Sequence, residues 1–414
     1  MKISVIGTGY VGLITGACFA KIGHTVYCVD IIPEKIEKIN KKQSPIYEEG
    51  LDQILNETVG KTLFASLDLT ESIKSTDITF ICVGTPSLEN GNIDLSYVFD
   101  ISKKIINILS TKEDYHLLVI KSTVLPGTTE KIIEMFDKND IGLCMNPEFL
   151  REGNAIYDFF YPDRIVIGEK DKKSGDILNE LYKDFNCPKM RLDLKTAEMI
   201  KYSSNAFLAT KVSFINEIGN ICKILGVDVY EVARGMGLDS RISPKFLEAG
   251  CGFGGSCFPK DVKALINYSK DLGYDTPLLR SVVNVNQNQP LKMIEILENK
   301  IGNLENKKIG VLGLAFKKDS DDIRESPSIA IIQKLLEKKS EVLAYDPKAN
   351  NNMKYLFPNI IYLESPQNLI ESSDAILIVT DWEEFKYLNY SEKIVIEGRR
   401  IFDQKQIGHE GVCW

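Results

Sequence analysis

Residues 2–30 carry the pattern that most restricts what this chain can fold into. Lys2–Ile6 reads as a buried strand, Gly7-Thr8-Gly9-Tyr10-Val11-Gly12 is a GxGxxG turn, a helix runs on from Val11 to about Ile22, and Thr25–Val29 is a second strand closed by Asp30. Strand, glycine turn, helix and strand make a βαβ unit, and its crossover commits the chain to a parallel sheet with helices on its faces. Gly7 permits the tight turn, Gly9 lets the backbone approach a pyrophosphate, and Gly12 lets the helix pack closely on the strand. The helix N-terminus, around Tyr10 and Val11, presents N–H groups and a positive dipole end to phosphates. Asp30 follows Gly12 by 18 residues, can accept hydrogen bonds from ribose hydroxyls and repels a 2′-phosphate, so NAD is expected rather than NADP. GxGxxG alone is a weak signal; in register with both strands and the terminal Asp it is a strong one. Read instead as a leader, Met1-Lys2 is a thin basic region and glycines interrupt the apolar run that follows.

At 414 residues, two or three domains are expected. The net charge of −8 argues against a nucleic-acid binder that relies on global positive charge, though not against a local basic pocket for an anionic metabolite. No run of 18 uninterrupted apolar residues is present, so no membrane span is expected. The nine cysteines form no CxxC pair and are odd in number, which fits free thiols in a reducing cytoplasm. Three scattered histidines, His24, His116 and His409, give a zinc site little support, and no GxSxG offers a hydrolase nucleophile.

Strand-like runs recur at Ile78–Val83, Leu117–Ile120 and Ile141–Cys144, each followed by a polar turn that contains Thr85, Lys121-Ser122-Thr123 or Asn146-Pro147-Glu148. Alternating strands and helices imply a parallel doubly wound sheet, whose ligands gather beyond the carboxyl ends of the strands. From about Asp193 to Gly226 the pattern is one long helix, and further helices follow to about Lys300. Lys307–Leu314 then restarts a strand–turn–helix pattern, Glu341–Tyr345 is another strand ending in Asp346, and Ala375–Val379 is a further one. The turn there reads GLAFK, so no second dinucleotide is assigned. The fold expected is α/β: two Rossmann-like doubly wound domains joined by a central helical domain with a long helix, divided as residues 1–192, 193–300 and 301–414.

Gly252-Phe253-Gly254-Gly255-Ser256-Cys257-Phe258-Pro259-Lys260-Asp261 is the most informative segment for chemistry. Its glycines allow close backbone approach to a ligand, and Pro259 suits the first turn of a helix running to about Leu272. Cys257 then sits just before a helix N-terminus with Lys260 nearby, and both favour the nucleophilic thiolate. On the long helix, Lys201 and Asn205 are spaced i, i+4 and share a face, which spacing alone does not separate from a solvent-exposed amphipathic face. In Asn146-Pro147-Glu148-Phe149-Leu150-Arg151-Glu152, Asn146 could cap a short helix begun by Pro147, with Glu148 and Glu152 on one face. On spacing alone, a solvated acidic face is the favoured reading there.

Taken in order, GTGYVG, VGTP at 83–86, KSTVLPGT at 121–128, NPEFLREG at 146–153, KYSSNAF at 201–207, GFGGSCFPKD at 252–261, FKKDSDDIRES at 316–326 and GRR at 398–400 resemble the UDP-glucose/GDP-mannose dehydrogenase family over essentially the whole chain. The resemblance implies an NAD domain, a helical dimer-forming centre and a UDP-sugar domain. It implies a double oxidation of a primary alcohol to a carboxylate with two NAD+, in which Cys257 attacks the intermediate aldehyde and a thioester forms that water cleaves. It gives Lys201 and Asn205 the oxyanion, Asp261 and Thr123 a water or sugar hydroxyl, Glu148 the role of base in thioester hydrolysis, and Glu152 a supporting place. It puts Phe149, Leu150, Arg151, Phe246, Gly254, Phe316, Lys317 and Arg399 on the nucleotide sugar and lets Arg241 reach a neighbouring subunit's substrate. Lys35, Thr85, Thr123, Lys260 and Arg324 are placed with the cofactor.

Within the family, FYPDRIVIG and the Phe after Cys257 look like the branch acting on UDP-glucose; a GDP-mannose or UDP-N-acetylhexosamine substrate shares the same thiol logic. A hydroxyacid dehydrogenase with a helical C-terminal domain also pairs GxGxxG with a central Lys and Asn, but needs neither Cys257 nor a second α/β domain. A non-catalytic nucleotide-sugar sensor need not keep Cys257, Lys201 and Asp261 together. NADH formed per sugar separates these readings as two, one or none.

Overall fold

The computed structural model describes residues 1–136, 140–402 and 408–414, and the chain divides into two compact units, Met1–Ser203 and Ser204–Trp414.

The first unit is built on eight strands: β1 (Lys2–Ile6), β2 (Thr25–Val29), β3 (Leu63–Ser66), β4 (Ile78–Ile81), β5 (His116–Ile120), β6 (Ile141–Met145), β7 (Ile165–Glu169) and β8 (Lys189–Leu192). Their order is β3-β2-β1-β4-β5-β6-β7-β8. Every neighbouring pair is parallel except β6 and β7. The runs β4, β5 and β6 are buried along their whole length because helices cover both sheet faces. Successive residues point to opposite faces, so Phe80 and Leu117 join one apolar cluster while Ile81 and Leu118 join another. The winding reverses between β1 and β4, and the carboxyl ends of these two strands border the crevice where such sheets take ligands. The expected strands are present with ends shifted by a residue or two. The strands β3 and β8 escaped the hydrophobic pattern because they are short and mostly half-buried, and β7, five residues long and largely buried, was not singled out as a strand.

The long helix spans Leu194–Leu225, which puts Lys201 and Asn205 on one continuous element. In the second unit it is followed by helices Val229–Gly237, Phe258–Asp271, Pro277–Asn288 and Leu291–Ile301. Six strands then follow: β9 (Lys308–Leu312), β10 (Glu341–Tyr345), β11 (Ile361–Tyr362), β12 (Ala375–Ile378), β13 (Ile394–Glu397) and β14 (His409–Gly411). Their order, β11-β10-β9-β12-β13-β14, repeats the winding of the first six strands, and every pair is parallel. Ile215, Cys222, Leu247, Met293 and Leu297 pack into one core with Val311, Leu377 and Ile396, so the central helices share their apolar interior with this sheet.

At the end of β10, Asp346 faces inward. Its Oδ2 accepts from Leu314 N, Ala315 N and Trp382 Nε1, and its Oδ1 accepts from Lys348 N and Ala349 N. Five donors saturate a carboxylate with about four lone-pair sites.

Candidate active site

The glycine turn follows β1. Gly7 has φ +94, and its N–H donates to Val29 O at 2.7 Å. A Cβ on Gly12 would lie 1.9 Å from Gly7 O, whereas one on Gly9 meets no heavy atom within 4 Å among the described residues. Gly12 is thus needed for internal packing, and Gly9 leaves open space where a pyrophosphate would approach; the turn fits a dinucleotide. Asp30 Oδ2 accepts from Thr8 N and Thr8 Oγ1, both at 2.7 Å, and Oδ1 from Ile32 N at 3.1 Å, with Lys35 Nζ at 3.5 Å. Burial alone would raise the Asp30 pKa, but the Thr8 hydrogen bonds and the Lys35 charge hold it below the ordinary value. Three donors leave this carboxylate room for a further one, unlike Asp346. Thr85 Oγ1 donates to Thr123 O at 3.0 Å, so two residues expected at the cofactor are neighbours.

Tyr10, inside the turn, donates its hydroxyl to Glu48 Oε2. The same carboxylate accepts from Gly153 N and Ala155 N, each at 2.7 Å. Glu48 thereby ties the glycine turn to the segment after Glu152.

The helix expected to start at Pro147 does not form. Asn146 is taken by tertiary partners: its Oδ1 accepts from Lys121 Nζ at 2.9 Å and Tyr182 OH at 2.7 Å, and its Nδ2 donates to Val166 O at 2.8 Å. Residues 146–151 are irregular, so Glu148 and Glu152 do not share a helical face. Glu148 turns inward instead. Its Oε1 accepts from Lys201 Nζ at 2.8 Å and its Oε2 from Leu150 N at 2.7 Å. Burial would raise the Glu148 pKa, but the Lys201 charge and hydrogen bond, then Leu150 N and the Lys121 charge, bring it below the usual value. The Phe149 ring lies 5.5 Å from Lys201 Nζ and 3.7 Å from the Arg164 guanidinium carbon. Arg151 is exposed and pairs with Asp158, while Glu152 is half-buried.

Glu198 was not anticipated. One helical turn before Lys201, it is fully buried and accepts from Gly127 N, Thr129 N and Thr129 Oγ1, which moors the loop after Thr123 to the long helix. The available signal was an acidic residue three positions before Lys201 on an otherwise apolar turn. Lys121 was noted only as part of a polar turn, yet it is buried.

In the second unit, Cys257 occupies the N-cap position of helix Phe258–Asp271, with Pro259 in the first turn. Asp261, one turn on, is buried; its Oδ2 accepts from Asn205 Nδ2 at 2.6 Å and its Oδ1 from Lys260 Nζ at 2.7 Å. The glycines before Cys257 are crowded. A Cβ on Gly254 would lie 2.3 Å from Glu325 O, and one on Gly255 would lie 2.8 Å from the Phe316 ring. Gly255 N also donates to Arg324 O at 2.8 Å, which joins the 316–326 segment to the thiol loop. Arg399 donates to Gly252 O, and Lys317 Nζ lies 5.7 Å from the Phe316 ring. Phe246 has φ +64, a left-handed conformation that costs a bulky residue energy, and its ring lies 6.2 Å from Phe258. Two expected contacts lie at the surface: Arg324 pairs with Asp322 at 2.6 Å, and the exposed Arg241 with Asp239 at 2.6 Å.

Three domain models of the UDP-glucose/GDP-mannose dehydrogenase family match: the NAD binding domain over residues 1–186, the central domain over 195–288 and the UDP binding domain over 310–407. The chain is 43% identical over 424 aligned residues to the UDP-glucose 6-dehydrogenase AglM of Haloferax volcanii, covering 98% of each. It is 44% identical to the UDP-glucose 6-dehydrogenase YwqF of Bacillus subtilis, covering 93% of this chain and 89% of that one. Its fold superposes with a TM-score of 0.96 on a UDP-glucose dehydrogenase from the archaeon Pyrobaculum islandicum, at 39% identity, covering 100% of this chain and 97% of that one. Fold and glycine turn define an NAD-dependent oxidoreductase. The chain belongs to the UDP-glucose/GDP-mannose dehydrogenase family. No helix among the described residues is long and apolar enough to cross a membrane.

Proposed function

We propose that the chain oxidises the primary alcohol of UDP-glucose to the carboxylate of UDP-glucuronate, with two NAD+ reduced per sugar. The observation that carries this reading is Cys257 at the N-cap of a helix whose Asp261, one turn on, is buried and hydrogen-bonded to Asn205. The UDP-glucose substrate draws support from the names of relatives 43% and 44% identical.

NAD+ would be held by Gly7, Gly9, Gly12, Tyr10, Val11, Asp30 and Lys35, with Thr85, Thr123, Lys260 and Arg324 further along it. When bound, it accepts the hydride of each oxidation. In the first, Asp261 and Thr123 orient the sugar hydroxyl and the water that takes its proton as the hydride leaves. The Cys257 thiolate then adds to the aldehyde carbon, and Lys201 and Asn205, one helical turn apart, stabilise the oxyanion of the thiohemiacetal. After the second oxidation the sugar is a thioester on Cys257. Glu148 takes a proton from the attacking water, the C–S bond breaks, and the thiolate returns to Cys257 as the acid leaves. Glu152 supports this group.

Phe149, Leu150, Arg151, Phe246, Gly254, Phe316, Lys317 and Arg399 would line the nucleotide sugar; a guanidinium and an ammonium suit its pyrophosphate. Phe207, Phe214 and Ile221 recur every seven residues along the long helix and are exposed, so we propose a homodimer packed there, with Arg241 entering the partner's site. The division into residues 1–192, 193–300 and 301–414 and a cytoplasmic setting belong to the same reading. The test is a panel of nucleotide sugars with NADH counted per sugar and the product identified. Two NADH and UDP-glucuronate from UDP-glucose are expected. One NADH, or turnover restricted to GDP-mannose or a UDP-N-acetylhexosamine, overturns it.

A further inference from the structure

Lys121 stands at the carboxyl end of β5 and is 6% exposed. A lysine so placed is costly unless something needs its charge or its donors, because the ammonium has lost its water. Its Nζ donates to Asn146 Oδ1 at 2.9 Å, a neutral acceptor. The amide cannot reverse: its nitrogen donates to Val166 O at 2.8 Å while its oxygen also accepts from Tyr182 OH at 2.7 Å, so a flip would set NH2 against the Lys121 ammonium and the amide oxygen against the Val166 carbonyl. Asn146 is therefore fixed, and Glu148 follows it by two residues on irregular backbone.

We infer that Lys121 is a positioning residue for Glu148: through Asn146 it holds the loop that carries the carboxylate, and its ammonium sets a second positive charge near that carboxylate, behind the direct Lys201 pair. This rests on the reading of Glu148 as the base of thioester hydrolysis.

Among the described residues, several titratable groups face the pair. Lys201 of the long helix contacts Glu148 directly, and Cys82, just past β4, lies near both Glu148 and Lys121. Tyr182 reaches Asn146 from the far side. Burial pushes the Cys82 thiol up to about 12, with Lys121 opposing, and burial also raises the Tyr182 phenol, so both stay neutral near neutral pH. Burial pulls Lys121 below an ordinary lysine, with Cys82 and Glu148 acting the other way. Lys201 and Lys121 both favour the ionised form of Glu148. A carboxylate that must take a proton from water has to be ionised beforehand, and a nearby cation extends its ionised range to lower pH.

The experiment is the pH dependence of acyl-enzyme decay, followed after a single turnover by rapid quench and intact mass. Lys121→Met removes charge and donor; Lys121→Gln removes the charge and keeps a donor for Asn146, which guards against loss of the fold in the first. In both, the acid limb should move to higher pH by roughly one pH unit, with KM for NAD+ and for UDP-glucose within about twofold of the parent. Lys121→Arg should return the limb towards its parent position. A limb that stays in place in Lys121→Met and Lys121→Gln overturns the inference. Glu148→Gln separates the two levels: if it retains the parent's acid limb, the base assignment fails; if it abolishes the limb while the Lys121 variants leave it unmoved, only the role of Lys121 fails.

Discussion

Lys201 Nζ donates to Glu148 Oε1 at 2.8 Å, and the two side chains are only 5% and 6% exposed. Most other ion pairs of this chain are at the surface, where such pairs contribute little; here each charge depends on the other. Lys201→Met should destabilise the protein by about 3–5 kcal/mol, the cost of stranding a buried carboxylate, and Lys201→Met with Glu148→Gln should recover much of it. Urea unfolding of the two single variants and the double variant measures this. The pH dependence has a definite sign. Glu148 titrates below its ordinary 4.5 in the folded chain, so its contribution to stability is complete above that value and is lost as pH falls through the lowered one. Additive costs, with no recovery in the double variant, would show that the two charges do not depend on each other.

The two glycines of the turn should fail in different ways. Gly12→Ala forces a Cβ to within 1.9 Å of Gly7 O and should lower the melting temperature. Gly9→Ala meets no protein atom among the described residues, so its melting temperature should stay near the parent's while KM for NAD+ rises at least tenfold, because the added methyl occupies the pyrophosphate's approach. Unchanged cofactor binding in Gly9→Ala would remove the turn from the dinucleotide site.

Cofactor choice is expected to follow Asp30. The parent should prefer NAD+ to NADP+ by at least tenfold in kcat/KM, and Asp30→Ala should narrow that gap. Because Asp30 also accepts both Thr8 donors, Asp30→Ala should raise KM for NAD+ as well. Equal use of both cofactors by the parent would contradict the assignment.

Replacing the thiol should separate the two oxidations. Cys257→Ala should lose acid formation by several orders of magnitude, since the nucleophile is gone. In Cys257→Ser the hydroxyl attacks slowly and its ester resists water better than a thioester, so a sugar–enzyme ester should accumulate and appear as a mass increase on the peptide containing Phe258. Near-parental production of UDP-glucuronate by Cys257→Ala would exclude the covalent route.

The features legible in the sequence are those set by neighbours along the chain. Gly7, Gly9 and Gly12 announce the first βαβ unit, the run without glycine up to Gly219 announces the long helix, and Pro259 marks the start of the helix behind Cys257. The errors arise where distant groups outcompete local preference. Asn146-Pro147 has the composition of a helix start, but Lys121, Tyr182 and Val166 O claim the Asn146 side chain from 20 to 36 residues away. Strand β7 runs antiparallel to β6, a reversal that hydrophobic periodicity does not encode. Glu198 and Glu48 were missed for the same reason: each takes two backbone N–H groups and one hydroxyl from far along the chain, which no local pattern reveals.

Asp346 bears on inhibitor selectivity. Both sheets wind alike and both second strands end in aspartate, so a compound built to grip a nucleoside diol through that carboxylate has two candidate docking points by topology. Chemically it has one. The Asp346 oxygens are occupied by four backbone N–H groups and the Trp382 indole, and a diol could engage them only by displacing part of the fold. Asp30 still has acceptor capacity to offer. A diol-bearing competitor should therefore displace NAD+ alone, and affinity for the second sheet would have to be designed around other groups.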